Sequence, residues 1–110
     1  MEKGSDMAKL KDLATIIRSK NAGAFQLTMD IIFGDKETYE KVKQTGAISR
    51  KLFATLYKVP ENEVEFVEYD QAYAFKGTIP RWVASGDLKD SDIYGAQQHA
   101  PLLDVEIFIE

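Results

Sequence analysis

The chain has 110 residues, 45% of them hydrophobic and 29% charged, which is enough for one modest core and not two, so a single domain over residues 1–110 is expected. Its formal charge is −4, with Lys and Arg dispersed among Asp and Glu; no basic face gathers to hold a phosphate backbone, which argues against nucleic acid. There is no cysteine, which rules out disulfides, thiolate metal sites and cysteine nucleophiles and fits a reducing, cytoplasmic setting.

The first residues, Met1 to Asp6, are polar, unlike the apolar run of a secretion signal. The apolar cluster Met29 to Phe33 is short and interrupted by Asp30, far below the roughly 18 residues of a membrane helix, so no membrane span is expected.

From Met7 to Arg18, Leu10, Leu13, Ile16 and Ile17 recur at helical spacing, predicting a first amphipathic helix that ends in Ser19 to Gly23. Phe25, Leu27, Met29, Ile31 and Phe33 then alternate with Gln26, Thr28, Asp30 and Ile32, the clearest strand in the sequence. Asp35 caps a second, mostly solvent-facing helix over Lys36 to Gln44, with Tyr39 and Val42 as its thin buried stripe. Ser49 caps a third, running to about Lys58, where Leu52, Phe53, Leu56 and Tyr57 form a broad apolar face and Ile48 and Phe53 are placed for a hydrophobic staple. Pro60 stops that helix.

Val64, Phe66, Val67 and Tyr69 predict a second strand, and Ala72 to Ile79 a third, weakened by Gly77 and ended by Pro80. Arg81 to Pro101 has no clear period, and a loop of that length is uncommon unless functional or disordered. Val105, Ile107 and Ile109 alternate in a closing strand. The expected architecture is α+β: about three helices packed on one face of a small, mainly antiparallel four-stranded sheet, with a ferredoxin-like arrangement as one candidate order.

Two polar segments carry candidate chemistry. In Arg18-Ser19-Lys20-Asn21-Ala22-Gly23, two cations, a hydroxyl and an amide crowd a turn, and the Arg fork with the Lys point charge suits a carboxylate or phosphate. The generic alternative is a helix C-terminus whose cations complement the dipole, which the residue chemistry alone favours. In Asp92 to Pro101, His99 suits general acid or base work, with Tyr94, Gln97 and Gln98 orienting a substrate oxygen; equally, these side chains would hold down a long loop. Asp30 is a candidate site carboxylate, although solvent exposure is the commoner state of an aspartate. Asp87, Asp90 and Asp92 lack a calcium-loop pattern, one His without Cys makes no zinc site, and neither a Walker motif nor a Gly-x-Ser-x-Gly context is present. No metal or cofactor is expected.

Arg18 to Gly23, Leu27-Thr28, Asp30 to Phe33, Ile79-Pro80-Arg81 and Tyr94 to Leu103 together resemble the domain of unknown function 4387 family over nearly the whole chain. Ala24 stands where that family's Pro is expected, and Trp82 to Leu88 departs from its usual loop. The resemblance implies a larger partner similar to the acyclic terpene utilisation A protein, and a setting of CoA and carboxylate metabolism. It favours reading both polar segments as site residues: Arg18, Ser19, Lys20, Asn21, Arg81, Gln97 and Gln98 binding a small carboxylate or CoA thioester, and His99, Tyr94 and Asp30 at the reacting centre of a lyase or hydratase. The alternatives are an interaction module, docking on another protein or on a second copy to form a homo-oligomer, and a sensor of a small acid.

Overall fold

The computed structural model describes residues 6–22, 25–80 and 100–109. In chain order they form β1 (Asp6–Lys9), α1 (Leu10–Leu13), β2 (Ile16–Asn21), β3 (Gln26–Ile32), α2 (Lys36–Thr45), α3 (Arg50–Tyr57), β4 (Glu65–Tyr69), β5 (Ala74–Pro80), α4 (Ala100–Leu103) and β6 (Glu106–Ile109), with single 3-10 turns at Glu61–Glu63 and Asp70–Ala72. The fold is α+β, as the patterning predicts.

The described residues form two sheets. An antiparallel four-stranded sheet has the order β2-β3-β5-β4, and β1 pairs with β6 in a separate antiparallel ribbon. The ferredoxin-like expectation is corrected, because that topology alternates β-α-β-β-α-β. Here β2 and β3 form a direct hairpin, and both longer helices fall between that hairpin and the β4–β5 pair. The helix count differs too: α2 and α3 are full helices, whereas α1 and α4 are single turns.

The predicted first helix is the main correction. Leu10 to Leu13 make one turn, and Ile16 to Asn21 extend as β2 against β3, from Ile16 opposite Ile32 to Asn21 opposite Leu27. The β-branched run Thr15-Ile16-Ile17 disfavours helix and suits a pleated surface. A six-residue ladder outweighs the apparent helical spacing.

The other helices follow their caps. Asp35 accepts from the Thr38 amide at the start of α2, and Gly46, at φ 71°, closes it in the left-handed region. Ser49 likewise accepts from the Leu52 amide, while Ile48 and Phe53 are both buried in the core. α3 ends just before Pro60, as expected: Lys58 takes a left-handed φ of 58°, and the Val59 amide donates to the Ala54 carbonyl.

The helices cover one face of the four-stranded sheet. Leu27, Met29 and Ile31 of β3 lie opposite Ile79, Gly77 and Phe75 of β5 on that face, and all are buried. Gly77 is the hinge of this packing, since a Cβ there would stand 2.8 Å from the Phe53 ring. The glycine expected to weaken β5 instead lets α3 approach the sheet. Phe33, Tyr39, Phe66 and Phe75 extend the same layer, with ring centroids 5.0–6.1 Å apart.

A polar clamp ties α2 to the turn after β4. The buried Tyr39 hydroxyl donates to Asp70 Oδ1 at 2.6 Å, and Lys43 Nζ donates to the same oxygen at 2.9 Å, with Glu68 3.8 Å from Lys43. Burial, then the bond to Asp70, raises the Tyr39 pKa; the Tyr39 and Lys43 bonds hold the Asp70 carboxyl below its ordinary value. A depressed carboxylate stabilises the fold above its unfolded pKa, and that contribution is lost as pH falls through the folded value. Tyr39→Phe is expected to cost about 1 kcal/mol at neutral pH, the usual net value of one hydrogen bond. Urea titrations should show the difference from wild type shrinking as pH falls from the unfolded aspartate value, about 4, through the lower value of Asp70 in the folded chain.

Candidate functional site

The period of two divides the first polar segment between two surfaces. Ser19 and Asn21 project to the helix side, where Ser19 is buried and Asn21 half-buried, and both are engaged in contacts. Arg18 and Lys20 project to the opposite, outer face. The segment is therefore strand and hairpin, and not the helix C-terminus that the generic reading expects. Nor does its turn offer the Ala22 amide to an anion, because that amide donates to the Gln26 carbonyl at 3.0 Å.

The sheet register assembles the outer face in rows. Arg18, Asp30, Lys76 and Val67 form one row across β2, β3, β5 and β4. Lys20, Thr28, Thr78 and Glu65 form the next. In the first row Arg18 Nε donates to Asp30 Oδ2 at 3.1 Å. The carboxylate is only 15% exposed and the arginine 59%, so Asp30 anchors the guanidinium by one edge while the side chain remains open to solvent. Asp30, for which ordinary exposure was the commoner expectation, is a half-buried partner of Arg18.

Beside this pair, Thr28 Oγ1 and Thr78 Oγ1 are 3.1 Å apart and share a hydrogen bond. Lys76 Nζ lies 5.9 Å from the centroid of the Tyr69 ring, a cation–π contact that leans the ammonium toward the β4 edge. Cations therefore flank Asp30 on both neighbouring strands. Such a row can present donors to an anionic group while the carboxylate fixes their positions.

At the end of the sheet a groove of about 300 Å³ is lined by Gln26, Asn62, Glu63, Glu65, Thr78 and Pro80, together with Ile79. Two carboxylates in its wall suit a cation better than an anion. It is chemically distinct from the Arg18 row, although Thr78 and Glu65 join it to the Lys20 row.

His99, Tyr94, Gln97, Gln98 and Arg81 lie outside the described residues. Of the expected site residues, the structure brings Arg18, Lys20 and Asp30 onto one face and turns Ser19 and Asn21 to the other. Sequence reading missed Thr28, Thr78, Lys76 and Glu65 as neighbours of that site. Thr28 stands in the alternation read along β3, but the pairing of these four residues depends on register. Among the described residues no group of three or more His, Cys, Asp or Glu stands where it could hold a metal ion, and no helix is long and apolar enough to cross a membrane.

These observations define an α+β domain with one helix-covered sheet face and one polar, charged face. The family described as Domain of unknown function (DUF4387) matches residues 10–106, nearly the whole chain, and the chain belongs to that family. No curated protein and no solved structure matches it.

Proposed function

We propose that the chain is an anion-binding accessory domain or small subunit of a cytoplasmic enzyme acting on a carboxylate or CoA thioester, with lyase or hydratase chemistry. The observation that carries this reading is Arg18, held by Asp30 yet 59% exposed, with Lys20 beside it on the outer face. An anchored guanidinium loses little freedom when it binds a carboxylate, which favours recognition by this fork over a free surface arginine. Lys76 supplies a second positive charge in the same row. In this reading His99 and Tyr94 supply the acid and base groups, Gln97, Gln98 and Arg81 help position the substrate, and a larger subunit completes the enzyme.

Calorimetric titration of the full chain with acetate, succinate, acetyl-CoA and inorganic phosphate tests the anion-binding step. Saturable binding of at least one is expected, weakened about tenfold or more in Arg18→Ala, the loss of one charge-assisted contact. No binding of any member, or equal binding by wild type and Arg18→Ala, would sink the reading. An interaction module is the second reading, and exposed Ile16, Val67 and Tyr69 on the same outer face favour it.

A further inference from the structure

The outer sheet face is complementary to itself. A two-fold axis parallel to the strands, passing between β3 and β5, exchanges β2 with β4 and β3 with β5 while each row keeps its height along the sheet. Each row then meets its own reverse. Lys20 faces Glu65 of the partner subunit, Asp30 faces Lys76 of the partner subunit, and Ile16 faces Tyr69 of the partner subunit. Opposite charges meet in two rows, in one of which Arg18 also faces Val67 of the partner subunit, and apolar side chains meet in the third.

We propose that two copies of this chain pack these outer faces together as an aligned β-sandwich dimer, with Lys20 of each copy seated in the acidic groove of the other. The groove supports this choice of occupant independently of the rows. It is about 300 Å³, its wall includes the outer-face residues Gln26, Thr78 and Glu65, and Glu63 adds a second carboxylate. An ammonium on a long flexible stem is the group such a wall accepts. Aligned sheets cross at about 30°, which a two-fold axis shares as half from each sheet, so the central rows stay in register.

The apolar contribution comes from Ile16, Val67 and Tyr69, which are 42%, 43% and 47% exposed in the single chain. Their burial drives association, and the charges select the register. Four strands about 4.8 Å apart, paired in common over about five residues, give a face roughly 20 Å each way, or at most roughly 400 Å² from each copy, with Thr28 and Ala74 on its central strands already buried in the single chain. That falls below a standard stable interface, so the dimer is weak, concentration-dependent and sensitive to salt. Strand β2 is at the edge of the sheet, which leaves Arg18 at the rim, where an anion reaches it from the side. The dimer does not rest on anion binding; in it Lys20 and Lys76 are paired with carboxylates of the partner subunit, and Arg18 is the cation left to an anion.

Sedimentation equilibrium of the full chain at low salt and rising concentration tests the proposal. The wild-type mass should climb from 12.4 kDa toward twice that value. Lys20→Glu and Glu65→Lys each place like charges at both symmetry-related contacts and should weaken association about tenfold or more. Both positions are exposed, so circular dichroism should show the fold intact. Lys20→Glu combined with Glu65→Lys restores opposite charges and should recover wild-type association. A mass fixed at 12.4 kDa at every concentration would overturn the proposal, as would a dimer insensitive to either single reversal or a combined variant that stays monomeric.

Discussion

Phe53→Ala should destabilise the chain by about 3–5 kcal/mol, the usual cost of deleting a fully buried aromatic ring. Phe53 has no exposed surface, and its ring lies directly over Gly77 at the middle of β5. The contact joins α3 to the sheet at the point where neither side has room to spare. The reciprocal change, Gly77→Ala, drives a methyl to 2.8–2.9 Å from three ring carbons and should cost about 1–3 kcal/mol by overpacking. Combining Gly77→Ala with Phe53→Leu shortens the obstructing group, and the pair should cost less than the sum of the singles in denaturant titrations. Strict additivity would show that the ring and the glycine are not coupled.

Ile107→Asp should cost about 4 kcal/mol or more, because it places an unpaired carboxylate where a side chain has no exposed surface. Its effect should be uneven. β1 and β6 form only a two-stranded ribbon, and ribbons of that size are marginal without packing beneath them. Ile107 is the fully buried β6 side chain in that packing, within the core that also holds Leu10, Tyr39 and Val42, and Ile109 packs partly against the same core. Hydrogen exchange should show lost protection across β1 and β6 while β3 and β5 stay protected, since no strand pairing links the two sheets. Equal loss of protection in all strands would mean that the ribbon is not a separate unit of stability.

What could be read from the sequence depended on how local the determining interaction is. The α2 and α3 starts were legible because Asp35 and Ser49 act on amides three residues ahead. β3 was legible because its buried face is wholly apolar. The segment before it was not: Leu10, Leu13, Ile16 and Ile17 satisfy a helical period, and the strand β2 has a polar inner face at Ser19 and Asn21, which removes the alternation signal. Its conformation is decided by pairing with β3 across a hairpin. The ribbon was hidden more completely, since Met7 finds Phe108 nearly the whole chain length away.

The candidate site follows the same logic. Arg18, Lys20 and Asp30 were recognisable as unusual individually, but the bond between Arg18 and Asp30 is a consequence of register. Lys76 and Glu65 read as ordinary strand charges until the register aligns them with β2 and β3. Gly77 was read from its weak strand propensity, whereas its role comes from the ring that crosses it.

The outer face of the β2-β3-β5-β4 sheet as a ligand surface is the central claim, and following the carboxylate titration amide by amide in isotope-labelled protein tests it most directly. Saturable shifts centred on Arg18, Lys20, Thr28 and Asp30, growing with ligand at fixed protein concentration and absent in Arg18→Ala, are the predicted result. Shifts confined to α2, α3 and the helix-side residues, with β2 and β3 unmoved at saturation, would contradict it.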